Sequence, residues 1–482
     1  MAMNKHMRMV LDHLWGPTGS VILHVIIVIL LINYLVFEVR EQDSEVEVEM
    51  MEMETVELDE IDRVLDDIED VEDMEDMEQP PLEDTPPDPT QFENTEPEMD
   101  VSALEVQSDF QGPLVLKGLF AGRSASGRSR MLNQYGGKWG KFTEPAVLKA
   151  LEWLKKHQIK KGDNAGSWDP GQGGRDKHVA LAGLGLLAFL AHGETTGSEK
   201  YGATVQRSIE FLQRVQQDNG AFCHLNQHGV YAHGIATYAM SEAFALTRIP
   251  PLKDSMDRAV ERIIAGQQDD GDWDYHYAKG ARRDTSVASW QIQALKAAYM
   301  AGTDTPGVSE ALKKAAEALE RNFIASNSKF RYSTGGGAHN VTPMAILCLQ
   351  LIGYGRDDPV RLALKGIADE KCSWDSKNKW AMYRWYYVAQ AKFHSGGSDW
   401  KDWNNEFAPA YVKNQESDGH WKPPVPKGGH ADAGYGPAFP TALGALTLQV
   451  YYRFLPTYKA TAIEKIEIDV DEGDEEIDIE II

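Results

Sequence analysis

Cysteine is scarce: Cys223, Cys348 and Cys372 are the three in 482 residues, and no two of them form a Cys-x-x-Cys pair. That spacing excludes a disulfide framework and a zinc-finger pattern, and it leaves the three thiols as small buried hydrophobes. Basic side chains are missing from residues 41–100, where 27 Asp and Glu face the single Arg63, and aromatic rings are missing there apart from Phe92. Such a segment cannot bury enough apolar surface to fold alone, and self-repulsion keeps it extended as a spacer. Residues 459–482 are similar, with ten acids against two lysines, so these two segments outweigh the net charge of −26 and leave the rest of the chain mildly basic. No basic stripe of the kind that tracks a duplex is present, and nucleic acid is not an expected partner. No metal or cofactor is demanded by any motif.

Long apolar runs are missing as well, with one exception at residues 21–37, flanked by Trp15 and Tyr34 and preceded by Lys5 and Arg8. With Gly19 and Ser20 it reaches the length of a bilayer span. A cleaved signal peptide is the competing reading, but the run is long for one, and Glu38-Val39-Arg40-Glu41 offers no small-residue cleavage site. Positive charge before the run and dense negative charge after it orient the N-terminus to the cytoplasm. The expectation is a single-pass protein of the bacterial inner membrane: residues 1–18 cytoplasmic, 19–37 spanning, and everything beyond periplasmic. Ser20 and His24 fall one turn apart on one face of this helix. An ionisable residue inside a span is a functional candidate; the alternative is a histidine near the interface bonded to a backbone carbonyl.

Against this background one short pattern recurs: Gln, three residues, Gly, one residue, an aromatic. It reads Gln216, Gly220, Phe222; then Gln267, Gly271, Trp273; then Gln415, Gly419, Trp421. A stretched copy runs from Gln158 to Gly166-Ser167-Trp168, a degenerate one ends at Cys372-Ser373-Trp374, and a weak one lies at Phe330-Arg331-Tyr332. Self-similarity at a spacing of roughly fifty residues means stacked supersecondary units. Glycine supplies a positive φ in each turn, and the aromatic wedges between neighbouring units. These turns are structural staples.

Around each turn the hydrophobic pattern changes from an amphipathic helix to one that is apolar nearly all round. The amphipathic members carry Val147, Leu151 and Leu154 after a start at Thr143-Glu144-Pro145; Val205, Ile209 and Leu212; Met256, Val260 and Ile263; Leu312, Leu319 and Phe323; Val360, Leu364 and Ile367; and Trp403, Phe407 and Tyr411. The apolar members cover 179–190, 235–246, 287–299, 341–352, 382–391 and 439–452. Six outer–inner pairs predict an all-α, closed (α/α)6 toroid over residues 143–456, since closure removes the exposed ends of an open repeat array. The acidic spacer (38–100) is followed by a Gly- and Arg-dotted lead-in (101–142) with Arg123, Arg128 and Arg130, and an acidic tail (457–482) follows the toroid.

Two resemblances come out of these residues. The Ser20-x-x-x-His24 helix resembles the anchor of TonB-type energy transducers, which implies docking on a proton-channel motor complex through the histidine; an acidic spacer stands here in place of the usual Pro/Lys-rich one. The Gln/Trp turns and six helix pairs resemble the terpenoid cyclase and prenyltransferase superfamily, including squalene–hopene cyclases and the β subunits of protein prenyltransferases. That resemblance implies an (α/α)6 barrel with an apolar cavity at the N-terminal ends of the inner helices, lined by His178, His233, Asp284, His339, Tyr383 and Phe439, with Arg282 and Arg283 at its mouth. Three histidines and an aspartate at equivalent positions either converge on a metal, zinc being the candidate, or serve as helix caps and mouth-lining polar groups.

The cyclase signature Asp-x-Asp-Asp-Thr-Ala is replaced by Ala281-Arg282-Arg283-Asp284-Thr285-Ser286, and an arginine delivers no proton near neutral pH. No cysteine stands where prenyltransferases hold zinc, and the thioester motif Cys-x-x-Gln of complement-type toroids is missed by Cys223-His224-Leu225-Asn226. The chain is therefore expected not to be a standard cyclase or prenyltransferase. Its toroid is read as binding a ligand or an envelope partner. The alternative is an enzyme acting on an isoprenoid or a glycan, with Asp284, His233 and His339 as catalytic candidates.

Overall fold

The computed structural model describes residues 118–453, without 172, 281–282, 334–338 and 425–431. The span with Ser20 and His24, the acidic spacer, the acidic tail and Arg282 lie outside the described residues. Among those described, no helix is long and apolar enough to cross a membrane.

A 3-10 turn, Gly118–Arg123, leads into α1 (Ala125–Tyr135), whose N-terminus is capped by the Ser124 hydroxyl accepting from the Gly127 N–H at 3.1 Å. Twelve helices follow in alternation. The outer members are α2 (Gly140–His157), α4 (Gly202–Val215), α6 (Pro250–Gly266), α8 (Val308–Arg321), α10 (Asp358–Lys365) and α12 (Gly397–Lys413). The inner members are α3 (Arg175–Ala191), α5 (Gly229–Thr247), α7 (Thr285–Ala301), α9 (Thr342–Ile352), α11 (Ala381–Ser395) and α13 (Ala438–Leu448). Each inner helix contacts the next, and α13 returns to α3, so the inner six form a closed ring. In the outer set α12 meets α2 and α6 meets α8. The fold is the expected (α/α)6 toroid.

The helix boundaries follow from burial. Each residue of α9 and of α13 is buried, and α5 is exposed only at Tyr231 and Thr247, so these segments have no polar face to turn to water. The outer helices bury one stripe, such as Val205, Ile209 and Leu212 of α4. Three expectations are corrected. Helix α2 begins at Gly140, not at Thr143-Glu144-Pro145: Trp139 and Phe142 are already buried, the segment before the helix packing on α12, and Pro145 is left inside the helix. Phe323 is not on an outer helix: α8 stops at Arg321, and Phe323 pairs with Phe330 across a two-residue hairpin, β1 (Phe323–Ile324) with β2 (Lys329–Phe330). Ile367 lies beyond α10 but is still buried.

The Gln–Gly–aromatic turns hold the pairs together by one repeated set of bonds. The side-chain amide of each glutamine donates both to the carbonyl of its own turn glycine and to a carbonyl in the first turns of the next outer helix. The acceptors are Gly166 and Thr204 for Gln158, Gly220 and Ser255 for Gln216, and Gly271 and Ala311 for Gln267. Gln415 reaches Gly419 and Ala146 of α2, at 2.9 and 2.8 Å, and so latches the last unit to the first. The indoles of Trp168, Trp273 and Trp421 each donate to a carbonyl near the end of the preceding outer helix, at 2.8 to 2.9 Å. Gly271 has φ +92°, and a Cβ there would collide with the Lys314 carbonyl. The stretched copy at Gln158 thus makes the bonds of the regular ones. The degenerate turn does not: Trp374 is half-exposed, its ring 5.3 Å from those of Trp385 and Tyr411, and it donates to the Lys422 carbonyl.

Candidate binding mouth

The inner helices all run the same way, so the ring has an end made of their N-termini and an end made of their C-termini. Between them the interior is crossed by side chains. Trp290 of α7 stacks on Tyr386 of α11, ring centroids 6.1 Å apart, and its indole donates to the Tyr383 hydroxyl at 2.6 Å. Gln293 of α7 donates to the Tyr387 hydroxyl. Trp290, Tyr386 and Tyr387 are fully buried. Deeper still, Arg453 reaches across the ring to the hydroxyls of Tyr238 on α5 and Tyr386 on α11, at 3.0 and 3.2 Å, with its guanidinium over both rings.

The C-terminal end is shut by the lead-in. Arg123 forms a bidentate pair with Glu242 of α5, at 2.9 and 3.1 Å, and also donates to the Leu190 carbonyl at the end of α3. Both partners are 2 % exposed. Arg128 of α1 binds Glu144 and the His192 carbonyl, and the His192 ring lies between Glu144 and Glu194. Burial works against the charge on His192, but its bonds to the two carboxylates outweigh it and hold the imidazole above its ordinary pKa. Burial likewise opposes ionisation of Glu144 and Glu194, and His192 and Arg128 pull both below the ordinary carboxylate value.

The N-terminal end is different. Trp380, just before α11, Tyr383 in its first turn, Phe439 in the first turn of α13 and Tyr435 in the loop before it form a closed circuit of rings. Their successive centroid separations are 6.0, 6.4, 5.1 and 6.0 Å. All but Phe439 are half-exposed. The Lys177 ammonium lies 4.7 Å above the Tyr435 ring. On the other side of the opening, Tyr231 of α5 bonds Ser286 of α7 at 2.7 Å and lies 6.2 Å from Tyr275, whose hydroxyl meets that of Tyr332 at 2.6 Å. Tyr383 and Phe439 were read from the sequence as residues of this end. Trp380, Tyr435, Tyr231 and Tyr275 were missed, although aromatics crowd around the start of α5 and α11 in the sequence.

The polar candidates go elsewhere. His233 is fully buried between Phe222 and Tyr277, on the side of α5 that faces the second turn, and its Nδ1 accepts the Phe222 N–H at 3.4 Å. Burial, helped by Arg262, pushes its pKa down to about 3, so it is a neutral wedge and not a mouth residue. Thr342 and Thr441 do the same work on Phe330 and Trp421 in their own repeats. His178 bonds Ser167 at 2.9 Å and Asn164 at 3.2 Å, both in the first turn. Asp284 caps α7, its Oδ1 accepting from the N–H groups of Ser286 and Val287 and from the Ser286 hydroxyl. Arg283 pairs with Asp270 at 2.6 Å. His339 is exposed, its Nε2 4.0 Å from Glu370, and its own carbonyl accepts from Arg384. The three histidines and the aspartate therefore do not converge, and among the described residues no group of three or more His, Cys, Asp or Glu is placed to hold a metal ion. All three cysteines are buried and unpaired, and burial pushes the Cys223 and Cys348 thiols up to about 12.

No family model matches the chain, and no curated protein matches its sequence. Among solved structures, an inactive variant of the alpha-1,6-mannanase of Salegentibacter sp. HEL1_6 in complex with alpha-1,6-mannotriose is similar at 12% identity and a TM-score of 0.49. The likeness covers 64% of this chain and 99% of the mannanase. The cellobiose 2-epimerase of Spirochaeta thermophila DSM 6192 is similar at 13% identity and a TM-score of 0.48, over 67% of this chain and 98% of its own. A sugar epimerase from a ruminal bacterium gives 14% and 0.47, over 64% and 98%. Likeness at this level carries no argument about activity, and the toroid stands on its own helix contacts.

Proposed function

We propose that this chain is a membrane-tethered binding protein that takes its ligand at the aromatic N-terminal mouth of the toroid. The observation that carries the reading is the contrast in how polar groups are used. Two acids of this end serve the fold, Asp284 as a helix cap and Glu370 in a bidentate pair with Arg384, while Trp380, Tyr383 and Tyr435 stay half-exposed. Half-exposed Tyr and Trp offer large contact area at little cost in ordering. In this reading the helix at 19–37 holds the protein in the inner membrane, the acidic spacer extends the toroid into the periplasm, and Ser20 and His24 couple it to a proton-channel motor as in TonB-type proteins. The Gln/Trp turns ally the toroid with the terpenoid cyclase and prenyltransferase architecture without that family's chemistry.

Two measurements test this. Capture of envelope lipids and polysaccharides by the full chain is expected to fall on Tyr383→Ala; capture unchanged by that substitution removes the mouth from the account. Co-purified motor proteins are expected to be lost on His24→Ala, and their retention, or failure to find them with the unaltered chain, removes the coupling.

The second reading is an enzyme acting on an isoprenoid or a glycan in the toroid. The observation in its favour is a perturbed carboxyl, Asp272, which burial pushes up to about 6; it is 1 % exposed within a repeat turn, so this reading requires that turn to open to a substrate. It accepts from the Trp273 N–H and from Asn322 in the turn that leads into α7. Turnover abolished by Asp272→Asn with the fold intact would favour this reading over simple binding.

A further inference from the structure

We infer that the ligand of the mouth is a neutral glycan chain, an inference that rests on the mouth being the binding site and adds its chemical class. The rings form a track of two half-exposed groups bridged by buried side chains. Trp380, Tyr383, Tyr435 and Phe439 occupy the α11–α13 side, and Tyr231 and Tyr275 the α5 side. Ser286 and Trp290, one turn apart on α7, join the two sides by their bonds to Tyr231 and Tyr383 at 2.7 and 2.6 Å. With helices packed about 8–10 Å apart, a six-helix ring measures roughly 16–20 Å between opposite axes. A track of that reach suits an elongated ligand.

Three classes compete for such a surface, and the surroundings decide among them. An isoprenoid wants a deep dry cavity, and below this mouth the ring is crossed by Trp290, Tyr387 and Tyr386, all fully buried, with the Arg453 guanidinium beneath them. An organic cation wants an unoccupied π face, and the Lys177 ammonium already lies 4.7 Å over Tyr435 and would repel a second positive charge. An anion gains little from Lys177, whose ammonium is already engaged over the Tyr435 ring and whose neighbour in sequence is Asp176. What remains is a neutral ligand with flat apolar C–H faces to lie on the rings and hydroxyls at its edges to meet phenols and serine. A pyranose chain has that chemistry, with the apolar face and polar edge that Tyr and Trp themselves share.

The test is titration of the full chain with maltohexaose, mannohexaose and chitohexaose as neutral probes, beside hexagalacturonate, choline and farnesol, read by tryptophan emission and calorimetry. At least one neutral hexasaccharide is expected to bind. Tyr435→Ala and Trp380→Ala should each weaken it about tenfold, while Tyr435→Phe, which keeps the ring, should stay within about threefold, all with unchanged melting temperatures. Failure of all three neutral probes overturns the glycan assignment. If farnesol, choline or the acidic hexamer binds instead and Tyr435→Ala weakens it, the mouth stands and its ligand class falls. A neutral hexasaccharide whose affinity ignores both ring deletions places the site elsewhere and overturns both.

Discussion

The two ends of the inner ring are built from the same six helices and are closed by opposite chemistry. At the C-terminal end two arginines, one from the lead-in and one from beyond α13, are fully withdrawn from water among Glu242, Tyr238 and Tyr386. At the N-terminal end aromatic rings stay half-exposed, and Asp284 and Glu370 are tied into a cap and an ion pair. Buried ion pairs are costly to assemble and more costly to break, so the shut end makes one arrangement much better than its alternatives. Exposed rings contribute little to folding and much to contact with a partner. The comparison assigns stability to one end and recognition to the other.

The largest expected effect is at the shut end. Glu242→Leu leaves the Arg123 guanidinium buried and unpaired, and should cost about 3–5 kcal/mol, seen as a lowered melting midpoint. The pair exchanged together, Arg123→Met with Glu242→Leu, should recover most of that loss. A single substitution as mild as the double would break the contrast between the ends. Next comes Gly271→Ala, which strains a residue at φ +92° and drives a methyl into the Lys314 carbonyl; a loss of about 2–3 kcal/mol is expected in denaturant unfolding.

Two of the buried histidines, His233 and His192, sharpen the comparison by opposite signs with pH. His233, held down to about 3, is neutral in the folded chain, while the unfolded chain takes up a proton below about pH 6.5. His233 should therefore lower stability on acidification below that pH by about 1.4 kcal/mol per unit, a share that His233→Thr removes while keeping an acceptor for Phe222; His394, buried and held down to about 4, adds its own. His192 is raised, so its contribution is complete below the ordinary imidazole value and is lost as the pH rises through its folded value. Unfolding of His192→Asn followed from pH 5 to 9 should lack that alkaline loss. Equal pH profiles for the two variants would contradict the assignments. The smallest effect on folding is expected at the mouth, where Tyr435→Ala should change stability by less than about 1 kcal/mol.

The toroid was legible because its periodic signals are local. A glutamine, glycine and aromatic in one turn can be seen within seven residues, and the outer and inner helices differ over a single helix length. Even the stretched copy from Gln158 kept its glycine and tryptophan, the two groups whose geometry the turn needs. The degenerate fourth and fifth turns lack the glycine two residues before the aromatic, and there the structure departs into a hairpin and a half-exposed tryptophan.

The site was less legible for two physical reasons. A polar residue in the first turn of an inner helix can face the ring axis or the adjoining turn, and sequence spacing does not distinguish them. His233 and Thr441 face the turn, whereas Tyr383 faces the axis. The second reason is distance along the chain. Arg123 meets Glu242 across 119 residues, and Tyr435 comes from a loop with no period, so neither contact leaves a mark in the local pattern.

The most direct test is hydrogen–deuterium exchange of the full chain with and without a saturating neutral hexasaccharide. Added protection confined to the starts of α5, α11 and α13, the segment around Tyr275 and the loop around Tyr435, with Gly118–Tyr135 and the end of α5 unchanged, is the result predicted. Protection at the Arg123–Glu242 end, with the aromatic mouth unaffected, would contradict the division of labour between the two ends.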